Sequence, residues 1–150
     1  MAIAELKRAI EINPNCSKAY GALGDFLGES DPDESIKNTE IAIRINPRDP
    51  SIFFRYSGLA CAHFAAGRYL EASQWARKSV QRKPGWRGGH AHLASLAHLN
   101  LFGEAKEAVK NYLENFPDET ISHLLKLWII EQPVFANRFE EGLRMAGLTE

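Results

Sequence analysis

The sequence predicts an all-α fold in which helical hairpins stack into a solenoid. Its clearest helix lies between Gly67 and Pro84, where Ala72, Ala76 and Ser79 recur at i, i+4 and i+7. Small side chains at that spacing leave one stripe of a helix flat enough for a second helix to pack closely against it. An upstream helix, joined to the first by a tight turn, carries its own apolar stripe at Tyr56, Leu59, Ala60 and Phe64. Together the two helices predict a hairpin.

An internal repeat extends this hairpin pattern along the chain. The spacings 4, 3 and 5, which lead from Ala72 through Ala76 and Ser79 to Pro84, occur in three further segments. The matching quartets are Ala2, Leu6, Ala9 and Pro14; Ser35, Thr39, Ala42 and Pro47; and Ala105, Val109, Tyr112 and Pro117. The prolines at 14, 47, 84 and 117 are 33, 37 and 33 residues apart. A fixed period of this length indicates a repeat architecture, in which stacked neighbours bury one continuous core.

This period and pattern resemble the tetratricopeptide repeat (TPR), whose consensus spans about 34 residues and combines aromatic residues, Leu-Gly, alanines and a final proline. The first helix of the consensus is matched by Tyr20, Leu23, Gly24 and Leu27, and again by Tyr56, Leu59 and Ala60. In the last copy His90 stands where the first aromatic residue belongs, although Leu93 and Ala94 keep the next pair. The resemblance covers about residues 2–117. It implies a right-handed TPR-type helical-hairpin solenoid with C-terminal capping helices.

One domain, residues 1–150, accommodates all of these elements, because its length and composition are those of a single globular unit. Its segments are the second helix of a truncated repeat at 2–15, complete repeats at 17–47, 50–84 and 87–117, and capping helices at 120–147. Since no first helix precedes residue 2, we expect the chain to be a fragment of a longer protein.

Local signals mark individual helix ends within these repeats. Asp31 can cap a helix that starts at Pro32, with acidic residues in its first turn. Gly67 is expected to open the helix of the second repeat, and Pro84 to close it. The second repeat has about three extra residues before Tyr56, so the segment 52–54 (Ile-Phe-Phe) is expected to extend its first helix by a turn.

The closing segment departs from the repeat pattern, as expected where a solenoid must end. Thr120 can cap a helix that carries Ile121, Leu124, Leu125 and Trp128. Pro133 then starts a last helix, and Gly147 followed by Leu148 is typical of a Schellman stop. The stripe of this helix is Phe135, Phe139, Leu143 and Ala146. Residues 138–148 also resemble the tail of TPR regions in bacterial proteins where a nucleotide cyclase domain or a winged-helix regulator precedes the repeats.

Composition and charge exclude several functional classes. A formal charge of -1 argues against nucleic-acid binding, which needs a concentrated basic face. No apolar run approaches the roughly 18 residues that span a bilayer. Cys16 and Cys61 lack disulfide or metal spacing and suit a reducing, cytoplasmic setting. The expected protein is therefore cytoplasmic, with neither nucleic acid nor membrane as a partner.

No motif for catalysis or for a cofactor is found. GxSxG, a P-loop and a glycine fingerprint after a strand are all missing. His63, His90, His92 and His98 fall in the first helices of adjacent repeats, but they lack HExxH or Cys/His spacing, and His90 and His92 point to different helix faces. We therefore expect no catalytic residues, no metal site and no cofactor.

Since the sequence has no motif for catalysis, metal or cofactor binding, we predict its function from the shape of the surface that the fold creates. Stacked hairpins curve so that their first helices line a concave face, which a solenoid uses for extended binding. Carrying the TPR groove positions over to this chain gives Lys18, Gly21, Asp25, Phe54, Ser57, Gly58, Cys61, His92 and Ser95. Of the cations that clamp a carboxylate in such grooves only Lys18 is present, and Asp25 would repel one. The basic run of Arg77, Lys78, Arg82, Lys83 and Arg87 is an alternative surface.

The sequence thus predicts a non-catalytic interaction module that binds a peptide or protein in its concave groove. The alternative is self-association, or a regulatory tail of a bacterial nucleotide cyclase or transcriptional regulator. Ile3, Leu6 and Ile10 present apolar surface on the first helix, which predicts homo-oligomer formation through that end.

Overall fold

The computed structural model describes residues 2–84, 86, 89–127 and 133–150, so Arg87 and Trp128 lie outside the described residues. Within those ranges the chain is helical and contains no strand. The helices are α1 (Ala2–Ile12), α2 (Ser17–Leu27), α3 (Pro32–Ile45), α4 (Ile52–Ala65), α5 (Tyr69–Arg82), α6 (His90–His98), α7 (Phe102–Asn115), α8 (Ile121–Leu127) and α9 (Pro133–Ala146). The all-α class is confirmed.

The hairpins α2–α3, α4–α5 and α6–α7 stack in chain order, so that α3 packs on α4 and α5 packs on α6. Small residues bring the paired helices close, as predicted. Gly24 faces Thr39, whose hydroxyl would overlap any Cβ at residue 24. The serines of the small stripes also donate hydrogen bonds across the hairpins, from Ser35 Oγ to Gly24 O at 2.7 Å and from Ser79 Oγ to Phe53 O at 2.7 Å. These bonds satisfy polar groups that the close packing buries.

Gly67 ends α4 and does not open α5, which corrects the sequence-based expectation. Its φ of +76° lies in the left-handed region. The Gly67 amide donates to Phe64 O and the Arg68 amide donates to His63 O, both at 2.9 Å. This pair of bonds is a Schellman motif, which satisfies the last carbonyls of the first helix. α5 then starts at Tyr69 without a side-chain cap.

The other predicted helix signals are confirmed. Asp31 Oδ1 accepts a hydrogen bond from the Glu34 amide at 3.3 Å, just before α3 begins at Pro32. Thr120 Oγ1 accepts from the His123 amide at 3.1 Å. Leu148 N donates to Leu143 O and Gly147 N donates to Arg144 O, which completes the Schellman stop of α9. α4 begins at Ile52, so it includes the added turn.

The main core joins α4 to the C-terminal helices. Phe64 has no exposed surface and lies at the centre of this core. Its ring contacts the rings of Tyr69, Phe135 and Phe139, with centroids 5.2, 5.4 and 5.7 Å away. Buried apolar residues of α6, α7, α8 and α9 complete the cluster. The capping helices therefore belong to the core of the second and third hairpins.

Candidate partner-binding face

Three of the predicted groove residues lie on one stripe of α4, which we call the inner stripe. It consists of Phe54, Gly58, Cys61 and Ala65, whose spacings of 4, 3 and 4 place them on the same side of a helix. All four residues keep accessible surface, and Phe54 is 40% exposed. The floor of the stripe is low between Phe54 and Ala65, because Gly58 has no side chain and that of Cys61 is small.

An ion pair borders the inner stripe on the α2 side. Arg55 donates from Nη1 to Asp25 Oδ2 at 2.6 Å, and the guanidinium lies against Gly21, where any Cβ would overlap it. A Cβ built at Gly58 would lie 3.4 Å from Asp25 Oδ1, so the other carboxylate oxygen faces the stripe. Gly21, Asp25 and Gly58 are thus brought together as predicted groove residues. The Asp25 carboxylate is one half of an ion pair with Arg55, a partner that the sequence-based expectation did not include.

Arg55 is the residue that sequence reasoning missed at this face. It occupies no TPR groove position, and its partner Asp25 is 30 residues away in the chain. The sequence feature that could have predicted this position of Arg55 is the pair of glycines, Gly21 and Gly58. They lie on the first helices of neighbouring hairpins and leave a space that a long side chain can fill. The repeat period places residues 25 and 55 on those two helices, so a charge pair between them was open to inference.

Titration of this region is governed by burial. Burial raises the pKa of Asp25, although the charge and the hydrogen bond of Arg55 act in the opposite direction. Burial also raises the pKa of the Cys61 thiol to about 12, and the charges of Glu29 and Asp25 add to this effect. At neutral pH the Cys61 side chain is therefore a thiol, which is a poor nucleophile and a poor metal ligand.

Aromatic rings form the N-terminal end of the stripe. The Phe54 ring lies 6.1 Å from the Trp86 ring, and Phe53 lies 5.1 Å from the same indole, both edge-on. Lys83 Nζ sits 4.4 Å from the centre of the Phe53 ring. Phe53 is half-buried by these contacts, whereas Phe54 remains exposed. The two phenylalanines of the added turn therefore differ, and Phe54 is the more exposed of the two.

The remaining predicted groove residues lie apart from this cluster. Lys18 is exposed near the start of α2. Ser57 and Ser95 are buried, so neither hydroxyl reaches a partner in this conformation. His92 faces α5, where its Nδ1 shares a hydrogen bond of 2.7 Å with Ser73 Oγ. Burial, helped by the charge of Arg77, lowers the pKa of His92 to about 4, so the imidazole is neutral at pH 7.

The C-terminal helix α9 packs against α6, the first helix of the third hairpin. His98 Nε2 and the Arg138 carbonyl form a hydrogen bond of 2.6 Å, and Gly142 lies directly against Ala94. Arg138 also donates from Nη2 to Ala65 O at 2.7 Å, at the end of α4. α9 thus crosses the first helices of two successive hairpins. Among the residues that the structure describes, Phe54, Gly58 and Cys61 keep accessible surface beyond α9.

Among the described residues, no three His, Cys, Asp or Glu side chains converge where they could hold a metal ion. The Ser73–His92 pair does not resemble a nucleophile with its base, because Ser73 is buried and no substrate could reach its hydroxyl. In the same part of the chain, every helix is too short or too polar to cross a bilayer.

No protein-family model and no curated protein matches the sequence, and the resemblance of residues 138–148 to cyclase-linked tails gains no support. A solved structure is similar throughout: the crystal structure of MamA, a TPR-like helical protein, aligns with a TM-score of 0.71. The alignment covers 96% of this chain and 84% of that one at 14% sequence identity. At that identity the likeness concerns the fold alone, and it identifies the fold of this chain as a TPR-like solenoid of helical hairpins.

Proposed function

We propose that the chain is a non-catalytic interaction module that binds a peptide or protein partner along the inner stripe of α4. A TPR-like solenoid is suited to this role, because its concave face offers a long surface to one ligand. Neither catalysis nor a cofactor enters the proposal. We propose a protein partner in preference to a nucleic acid, since the described residues at the inner stripe and its border carry the Asp25–Arg55 ion pair and no cluster of cations.

The exposed ring of Phe54 is the observation that carries the proposal. Binding energy in protein interfaces concentrates in a few aromatic or arginine anchors inside desolvated patches. Phe54 stands beside the low floor of Gly58 and Cys61, and the Cζ atom of Arg55 lies 5.8 Å from the centre of its ring. An apolar side chain of the partner can lie on that floor against Phe54. The Asp25–Arg55 pair then supplies polar groups at the edge of the contact.

The test first uses this chain to capture and identify a partner, and then compares the affinity of that partner for the unchanged chain and for its variants. Phe54→Ala is expected to weaken binding by about 2 kcal/mol, or roughly thirtyfold, as for a typical hot spot. Gly58→Gln is expected to block the floor without unfolding, because a Cβ at residue 58 meets only ordinary van der Waals contact. Titration calorimetry gives the affinities, and circular dichroism checks the helical content of each variant.

Two matched controls lie outside the inner stripe. Phe26 is 61% exposed near the end of α2, and Gly103 has nothing within 4 Å of a built Cβ. Phe26→Ala and Gly103→Gln should therefore bind as the unchanged chain does. If Phe54→Ala and Gly58→Gln are both folded and both bind with full affinity, the partner binds another surface. The basic run at Arg77 to Lys83 would then be the next candidate.

Self-association through α1 is a second proposal, which rests on the exposure of that helix. No residue of α1 is buried, and Ile12 is 77% exposed while Ile3 also faces solvent. We expect light scattering to show a concentration-dependent increase in mass that Ile3→Glu/Leu6→Glu abolishes. The control variant Phe26→Glu/Leu70→Glu removes two exposed apolar residues elsewhere and should leave association unchanged. A monomeric mass at millimolar concentration would rule this proposal out.

A further inference from the structure

We propose that α5 and α7 form a second binding site, which takes an acidic protein segment that inserts one aromatic side chain between these helices. The site combines an exposed cationic face on α5, made of Arg77, Lys78 and Arg82, with a cavity beside that face. It is separate from the inner stripe, which lies on α4.

The cationic face of α5 has little compensating negative charge. From Ala72 to Gly103 the sequence contains no Asp or Glu, and the acidic residue of α5 is Glu71, in its first turn. All three cations are exposed, and none forms an ion pair with a carboxylate that the structure describes. The helix dipole accounts for Arg82 in the last turn, but not for Arg77 and Lys78 in the middle of the helix. The face is therefore suited to an anionic partner.

The cavity next to this face has room for one aromatic ring. It has a volume of about 200 Å³ and lies between α5, α6 and α7. Its walls include aromatic rings and side-chain amides, those of Trp86, Tyr112, Phe116, Asn111 and Asn115. Since a cavity of about 150 Å³ lined by apolar side chains binds benzene, a phenyl ring fits here. Both asparagines are exposed, so the cavity can be reached from solvent.

The cavity and the cationic face lie close enough for one ligand to contact both. Val80 forms the α5 side of the cavity wall. Arg77 precedes Val80 by three residues, a spacing that makes the two side chains neighbours on the helix surface. A segment with acidic residues beside an aromatic residue can therefore place its carboxylates over α5 and its ring in the cavity.

The charges of α7 favour a protein segment over a nucleic acid as the occupant. The exposed side of α7 carries both signs, with Glu107 and Glu114 beside Lys106 and Lys110. Glu107 lies one turn before Asn111, at the cavity wall. A nucleic acid carries a phosphate at every nucleotide, so a strand that crosses from α5 over the cavity would meet these carboxylates. An acidic peptide can keep its charges on the α5 side.

The probe is a fluorescein-labelled synthetic peptide in which one phenylalanine is flanked on both sides by glutamates. It is titrated with the full chain at low ionic strength and followed by fluorescence anisotropy. We expect submillimolar binding that falls at least tenfold for Arg77→Glu/Lys78→Glu. The matched control is Lys7→Glu/Arg8→Glu, which changes the net charge equally at the same two repeat positions of α1, where both residues are exposed. The control should keep the full affinity, and circular dichroism checks the helical content of both variants.

A second comparison tests the cavity. Replacement of the peptide's phenylalanine by alanine should weaken binding at least tenfold. The chain variant Ala108→Leu fills the cavity from α7, so it should bind both peptides with the lower affinity. The peptide change requires no variant of the chain, so it stays decisive even if Ala108→Leu does not fold.

Four results would each overturn the proposal. They are no binding at millimolar chain, equal affinity for the two peptides, equal loss of affinity in the α5 variant and the α1 control, and displacement of the probe by single-stranded DNA at a lower concentration than by unlabelled peptide. The last result would identify the site as one for nucleic acid. None of the four bears on the inner stripe, because its variants are tested with a captured partner.

Discussion

Replacement of Phe64 by alanine is expected to lower the free energy of unfolding by about 3–5 kcal/mol, the usual cost of removing a fully buried phenylalanine. The ring has no exposed surface and contacts four other rings, those of Tyr69, His98, Phe135 and Phe139. The cavity left behind cannot close by a small movement, because these four rings belong to three different helices, α5, α6 and α9. This loss would be a large fraction of the stability of an ordinary domain.

Chemical denaturation followed by circular dichroism measures this loss. Phe26→Ala is the matched control, because it removes the same side chain from a position that is 61% exposed, and its midpoint should shift little. Equal shifts in the two variants would contradict the central position of Phe64 in the core.

Gly142→Ala is expected to destabilise the chain by about 1–3 kcal/mol through overpacking, although alanine is the better helix former by about 1 kcal/mol. A Cβ at residue 142 would lie 2.9 Å from the Ala94 Cβ, the Ala94 carbonyl oxygen and His98 Cδ2. The first two of these atoms belong to the rigid frame of α6, so α9 itself must move away. The hydrogen bond between His98 and the Arg138 carbonyl would then lengthen or break.

Gly103→Ala provides the matched control on α7, where nothing lies within 4 Å of a built Cβ. There the same substitution should be neutral or stabilising by up to about 1 kcal/mol. When urea midpoints are measured side by side, that of Gly142→Ala should fall and that of Gly103→Ala should stay the same or rise. A midpoint for Gly142→Ala at or above that of the unchanged chain would show that α9 is held less closely to α6.

The repeat pattern predicted most of the helices because each copy must bring two paired helices close together, and small residues recur where they touch. Ala72 and Ala76 are small since a paired helix must come close, and both are fully buried. Asp31 and Thr120 were recognisable as caps because a side-chain oxygen three residues before an amide satisfies it locally. Signals of this kind act within a few residues, so the sequence displays them directly.

Contacts between distant residues were harder to predict. The stripe of Phe135 and Phe139 shows that one side of α9 is buried, but not that α6 and α4 bury it. Gly67 was assigned to the wrong helix because a glycine between two helices can end the first or start the second, and only its φ of +76° decides. His92 was placed in the groove by its repeat position, whereas Ser73 holds it against α5.

The hydrogen bond from Arg138 to the Ala65 carbonyl makes the C-terminal end of the solenoid harder to unfold locally than the N-terminal end. Repeats normally touch only their neighbours, so such a molecule can fray from either terminus one unit at a time. The bond joins residues that are 73 positions apart in the chain, with the third hairpin between them. α9 therefore cannot separate from α6 without opening the core of two hairpins at once. α1 has no such restraint, since it buries no residue. We therefore expect the C-terminal half to unfold as one cooperative block, and α1 to fray without disturbing it.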